Sequence, residues 1–193
     1  MKRITVFCGS NLGNVQDFKT QAYLLGQTLA KKNIELVYGG AKIGIMGAVA
    51  DGVLSNGGKV IGVIPGFLKS KEVAHQGLTE LITVQSMHER KAKMNALCDG
   101  VIALPGGFGT LEELFEMLTW AQLGLHCKPI AILNVDGYYD SLCSMIQTMV
   151  DKGFLNEINQ QMLLVATTID ELMEKMKQYN APLVEKWIRE ETV

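Results

Sequence analysis

Two acids follow a glycine turn in the stretch VIALPGGFGTLEELFEMLTW, residues 101–120. Pro105, Gly106, Gly107, Gly109 and Thr110 form a turn between a strand pattern and a helix pattern, and Glu112 and Glu113 come directly after it. Glycine allows close backbone approach, and the exposed amides at a helix start attract an anion, so the turn suits a phosphate. A carboxylate repels a phosphate, so Glu113 belongs beside another part of such a ligand. Next to an anomeric carbon it can stabilise oxocarbenium-like charge, attack as a nucleophile or activate water, which is glycosidic chemistry. The competing use is structural: Thr110 is a good N-cap residue, and Thr110 to Glu113 has the T-x-x-E spacing in which the acid reaches back to a backbone amide.

A cationic partner stands on the preceding helix pattern, SMHERKAKMNALC. Ser86 and Glu89 have capping-box spacing, and Met87, Met94, Leu97 and Cys98 share one helical face. Arg90 and Lys91 project onto that same face, whereas His88, Glu89 and Lys93 look outward. Leaving a buried guanidinium unpaired is destabilising by several kcal/mol, so Arg90 is expected to meet an anion, either a carboxylate or a bound phosphate.

These groups need a scaffold that gathers them. Seven runs, ITVFCG, IELVYGG, KVIGVIPG, LITVQ, VIALPGG, PIAILNVDG and LLVATT, read as strands buried on both faces, because they are nearly continuous in hydrophobes. Helix-length segments at 15–32, 45–55, 87–97, 111–123, 139–151 and 169–179 alternate with them. This rhythm predicts a Rossmann-like, doubly wound α/β fold, a parallel sheet with helices on both faces. One domain over 1–193 is expected, since 193 residues with 48% hydrophobic content suffice for one sizeable core; residues 180–193 leave the rhythm as a C-terminal arm. In such sheets ligands bind beyond the carboxyl ends of the strands, and four glycine turns, CGSNLG, YGGAKIGIMG, IPG and LPGGFGT, fall on that edge. Helical projection of the segment after PGGFG turns Leu111, Leu114, Phe115 and Leu118 to the sheet and Glu113, Met117 and Trp120 away from it, with Leu123 not far round. The outer apolar flank predicts a homodimer whose interface runs close to Glu113.

Several function classes are disfavoured. No G-x-x-x-x-G-K-[ST] loop occurs, and the first turn, GSNLG, lacks the dinucleotide fingerprint, so neither Walker-type hydrolysis nor nicotinamide redox chemistry is indicated. No local pattern singles out a Schiff-base lysine, and His75, His88 and His126 make no metal-ligand spacing, so neither a cofactor nor a metal is expected. A net charge of −2 without a basic stripe argues against nucleic acid as a partner. With no signal-like start and no apolar run near the roughly 20 residues that span a bilayer, a cytoplasmic protein away from the membrane is expected. Cys8, Cys98, Cys127 and Cys143 form no CxxC or metal spacing and read as reduced, buried thiols.

At these residues the sequence resembles the Lonely Guy family of cytokinin riboside 5'-monophosphate phosphoribohydrolases, often mislabelled as lysine decarboxylases. The family pattern P-G-G-x-G-T-x-x-E is matched by Pro105, Gly106, Gly107, Phe108, Gly109, Thr110, Leu111, Glu112 and Glu113, and its Arg-Lys pair by MHERKAKM. The likeness extends through VFCGS, YGGAKIGIMG, TWAQLG and ILNVDGYYD, nearly the whole chain. It implies hydrolysis of a purine nucleoside 5'-monophosphate to free base and ribose 5-phosphate, with Arg90 and Glu113 as the catalytic pair. It further implies ligand contacts at Glu72, Arg90, Lys91, the run from Gly106 to Glu113, and Thr119, with Ser10 and Gly40 lining the site from other glycine turns. Family members are dimers with sites beside the shared interface. The competing reading is a non-catalytic binder of a nucleotide or phosphorylated cofactor, as in molybdenum cofactor carriers, which has no chemical need for Arg90 together with Glu113.

Overall fold

The computed structural model describes residues 1–69 and 74–182. Each run expected as a strand forms one: β1 (Arg3–Phe7), β2 (Glu35–Tyr38), β3 (Val60–Pro65), β4 (Glu80–Val84), β5 (Gly100–Ala103), β6 (Ile130–Leu133) and β7 (Leu163–Ala166). They pair in parallel in the order β4-β3-β2-β1-β5-β6-β7. Helices α1 (Gln16–Lys31), α2 (Gly44–Leu54), α3 (Met87–Leu97), α4 (Phe108–Gln122), α5 (Asp140–Asp151), α6 (Glu157–Gln160) and α7 (Ile169–Gln178) complete the described elements. The short α6 and a 3-10 turn at Val135–Gly137 carry too few residues to leave a periodic signal in the sequence.

Strand order reverses beside β1, and handedness turns that reversal into two covered faces. Crossovers from β1 through β3 run one way and lay α1 and α2 on one face; the step from β4 to β5 runs the other way and lays α3 on the opposite face. Side chains sort accordingly. Ile4, Val6, Leu36, Ile102 and Leu104 pack with α1, α2 and α7, whereas Phe7, Val37, Ile61, Val101 and Ala103 pack with Met94 of α3 and Leu114 of α4. Thr5 faces α3 too, and its hydroxyl is satisfied by the Met94 carbonyl at 3.1 Å. Among the described residues no helix is long and apolar enough to cross a membrane.

Several expectations need correction. The outer strands are not buried on both faces: β4 exposes Glu80 and Thr83, and β7 is only half-buried at Leu163, Leu164 and Val165, because each has a strand neighbour on one side alone. All four cysteines are free thiols, but Cys127 is exposed and Cys143 half-buried, lying before β6 and on the outer part of α5. Of the arm at 180–193, residues 183–193 lie outside the described chain.

The largest correction concerns α4. It starts at Phe108 with Gly107 as N-cap, so Thr110 is no cap and the Thr110–Glu113 box does not form. Thr110 is buried inside the first turn instead, its Oγ1 2.1 Å from where a side-chain carbon on Gly106 would stand. The helix is rotated from the expected projection, and Thr110, Leu114, Met117 and Ala121 form its buried stripe. Met117 therefore packs in the chain's own core rather than on an outer flank, and Trp120 lies half-buried against that core. On α3 the expectation holds. Ser86 Oγ accepts from Glu89 N–H at 3.1 Å, Arg90 and Lys91 are buried, and His88, Glu89 and Lys93 are exposed.

Candidate active site

Parallel strands bring the turns after β1, β2, β3 and β5 to one edge of the sheet, and the point where strand order reverses lies between β1 and β5. A cleft of about 240 Å³ opens there. It is lined by Ser10, Leu12, Phe18 and Ile45 and by Pro105, Gly106, Gly107 and Tyr138. The turns touch through backbone: Gly9 N–H donates to the Pro105 carbonyl at 3.1 Å, and Ile45 N–H to the Gly9 carbonyl at 3.1 Å. Only glycine fits at 106, because a β-carbon there would meet Gly9 N at 2.7 Å as well as Thr110. Gly107 and Gly109 differ. Neither would bring a β-carbon within 4 Å of anything, and neither has positive φ, so the fold itself does not require glycine at either position. Between them Phe108 is 95% exposed. The first turn of α4 thus presents bare backbone amides beside the cleft, the arrangement an anion seeks at a helix N-terminus.

Arg90 rises into this edge from α3. Its Nε donates to the Val63 carbonyl at 3.0 Å, and its Nη2 is aimed at Gly39, where a β-carbon would stand 2.2 Å from it. It is buried, yet no carboxylate of a described residue forms an ion pair with it. Glu113 comes from α4, half-buried and also without a described ion pair or hydrogen-bond partner. Burial pushes its carboxyl up to about 7; Arg90 and Lys91 oppose the rise, while Glu112 and Glu116 add to it. Both side chains reach the field of Cys8 at the end of β1: burial and Glu113 push that thiol up, and Arg90 pulls it back. Arg90 and Glu113, from helices on the same face of the sheet, thus feel each other's charge without forming an ion pair, and neither lines the glycine cleft itself.

The remaining expected ligand residues scatter. Ser10 lines the cleft. Gly40 does not line it but is buried after β2 against Gly62 and Ile64 of β3, its carbonyl accepting from His75 N–H at 3.0 Å. Lys91 is turned sideways to α4, where its ammonium pairs with Glu112 and, at 2.9 Å, with Glu116. Burial works against that charge, but the two carboxylates outweigh it and hold the ammonium above the ordinary lysine value. Leu111 is half-buried against the α4-side core. Thr119 is exposed farther along α4, its hydroxyl donating to the Phe115 carbonyl at 2.7 Å. Glu72 lies outside the described residues. His75 is engaged locally, with Nδ1 accepting from Gly77 N–H at 3.0 Å and Nε2 facing Asp51 at 3.0 Å. Among the described residues no three His, Cys, Asp or Glu side chains gather as a metal site.

The sequence reading assigned Tyr138 no role, although it forms a wall of the cleft and donates its hydroxyl to the Gly106 carbonyl. A signal existed: the adjacent aromatics of VDGYYD follow a parallel strand, so they fall on the same sheet edge as the glycine turns.

Comparison with known proteins adds a family. Residues 46–176 match the family described as possible lysine decarboxylase. Cytokinin riboside 5'-monophosphate phosphoribohydrolase LOG1 of Arabidopsis thaliana is 48% identical over 178 residues, spanning 92% of this chain and 84% of that protein. A probable cytokinin riboside 5'-monophosphate phosphoribohydrolase of Oryza sativa subsp. japonica, LOGL1, is 50% identical over 177 residues, 92% of this chain and 79% of its own. Among solved structures, the molybdenum cofactor carrier protein of Chlamydomonas reinhardtii aligns with a TM-score of 0.69 at 19% identity, covering 91% of this chain and 96% of that one.

Proposed function

The chain belongs to the Lonely Guy family of phosphoribohydrolases, and from that membership we propose that it hydrolyses the N-glycosidic bond of a purine nucleoside 5'-monophosphate to free base and ribose 5-phosphate. One observation supports the chemistry above the others: a buried guanidinium and a half-buried carboxyl, neither in an ion pair with a described residue, feel each other's charge at the sheet edge that carries the glycine turns. The phosphate sits on the amides at the start of α4, in the space that Gly107 and Gly109 leave open. The ribose then lies over Glu113 and Arg90. As the bond to the base breaks, positive charge develops on the sugar; ionised Glu113 stabilises or captures it, and water completes the hydrolysis. Arg90 offsets the charge of Glu113 and the phosphate and holds both in register. Lys91, clamped between Glu112 and Glu116, fixes α3 against α4 and thereby the spacing of the catalytic pair.

Incubation of the protein with AMP and with isopentenyladenosine monophosphate, followed by chromatography, should show free base. Glu113→Gln and Arg90→Ala should each lower that rate by about 10²-fold or more while the circular dichroism spectrum is retained, as expected when a charge contact made in the transition state is lost. Wild-type-like turnover in either variant overturns the assignment. The likeness to the molybdenum cofactor carrier, at 19% identity, is one of fold alone. Binding of nucleotide without base release is the outcome that would favour a carrier.

A further inference from the structure

The turn assigned to the phosphate contains two consecutive glycines, the most pliable backbone a chain can offer. A flexible anion cradle loses conformational freedom on binding, and that loss is subtracted from affinity. Here the turn is restrained from outside at three successive carbonyls. Tyr139 Oη donates to the Leu104 oxygen at 2.6 Å, Gly9 N–H to the Pro105 oxygen at 3.1 Å, and Tyr138 Oη to the Gly106 oxygen. The third contact matters most for binding, because Gly106 shares its peptide unit with the N–H of Gly107, and the side of Gly107 where a β-carbon would stand is open, with nothing within 4 Å of that point. The unit is planar, so holding its oxygen also fixes the direction of its N–H, and a hydrogen bond at the oxygen strengthens the N–H as a donor.

Tyr138 is itself built into place. Its ring meets Phe18 edge-on, centroids 5.6 Å apart, and Tyr139 likewise at 5.0 Å. The loop that presents it is closed by Asn134, whose Oδ1 accepts from Tyr139 N–H at 2.7 Å and whose Nδ2 donates to Asp140 at 2.7 Å. The ring is nonetheless 43% exposed at the cleft wall, so removing its hydroxyl opens no hole in the core. We infer that Tyr138 is a positioning residue: its hydroxyl, anchored on Gly106, sets the Gly107 amide for the phosphate of the substrate and does not touch the reacting atoms. This rests on the assignment of a 5'-phosphorylated substrate.

The test is calorimetric titration of the wild-type protein and of Tyr138→Phe with AMP and with adenosine, alongside thermal unfolding. Tyr138→Phe keeps the ring and its packing, so the melting temperature should stay close to wild type. The dissociation constant for AMP should rise by about tenfold, the equivalent of one hydrogen bond's worth of preorganisation, with adenosine binding, or its absence, unchanged. An unchanged AMP constant overturns the inference, and so does an equal weakening for AMP and adenosine, which is the mark of a general structural role. Base release measured on the same wild-type samples reads the parent assignment separately. A protein that binds AMP but frees no adenine refutes the hydrolase, and the comparison of constants still decides Tyr138.

Discussion

A carboxyl that exchanges its proton near neutrality ties the proposed chemistry to stability. Glu113 has an ordinary value of 4.5 and is lifted by burial to about 7 in the fold. Between those two pH values the native state holds the proton that the unfolded chain has released, so stability contributed by neutral Glu113 is complete below about pH 4.5 and is lost as pH rises through about 7. Subtracting the melting temperature of Glu113→Gln from that of the wild type, pH by pH from 4.5 to 8, should give a difference that declines across this window. A flat or rising difference refutes the assignment. The same proton should shape catalysis: kcat/KM should climb to a plateau above an apparent pKa near 7, because the ionised form is the one that meets the ribosyl cation. The burial of Arg90 was legible in the sequence, since a cation on an apolar helix face is an anomaly, and Glu113 stood out as an acid behind a glycine turn. Thr110 was misread for an equally physical reason. Threonine is a good cap, and only the close packing of Gly106 on Gly9 shows that the helix must begin earlier and bury it.

Among the elements, α1 and α2 are pressed together by glycines that a sequence pattern treats as mere weak points. A β-carbon on Gly26 would stand 2.3 Å from the Val49 carbonyl oxygen, and one on Gly52 would stand 2.2 Å from that of Tyr23. Replacing a mid-helix glycine by alanine ordinarily stabilises by roughly 0.5–1 kcal/mol. Here the clash is with backbone, which cannot swing aside, so overpacking should win, and Gly26→Ala and Gly52→Ala should each lose about 1–3 kcal/mol. Urea midpoints shifted upward would contradict this. Periodicity located every helix of two turns or more, but it could not show which neighbours approach closely. For the same reason the projection of α4 put Met117 on the wrong side: the buried stripe follows from where the helix starts, and that was fixed by contacts between distant turns.

At the scale of the molecule, strand–helix alternation made the class readable and the glycine turns marked the working edge of the sheet. The strand order itself was not readable, since nothing local in β4 or β5 announces that the chain crosses back over three strands between them. We propose that the protein is a homodimer. With Met117 in the core, its support within the chain is the half-buried apolar set Leu111, Phe115, Leu118 and Trp120 along α4. Light scattering should then give twice the 21.2 kDa of one chain, and a monomer mass at micromolar concentration removes the proposal. The long return from β4 to β5 bears on synthesis as well. During translation β1 can pair with β2 early, but its other side stays unmatched until residues 100–103 arrive, a wait of roughly 5–20 s at ribosomal speed. The nascent chain thus carries a raw hydrogen-bonding edge in its middle, and the cleft between β1 and β5 becomes whole only once Tyr138 has been made.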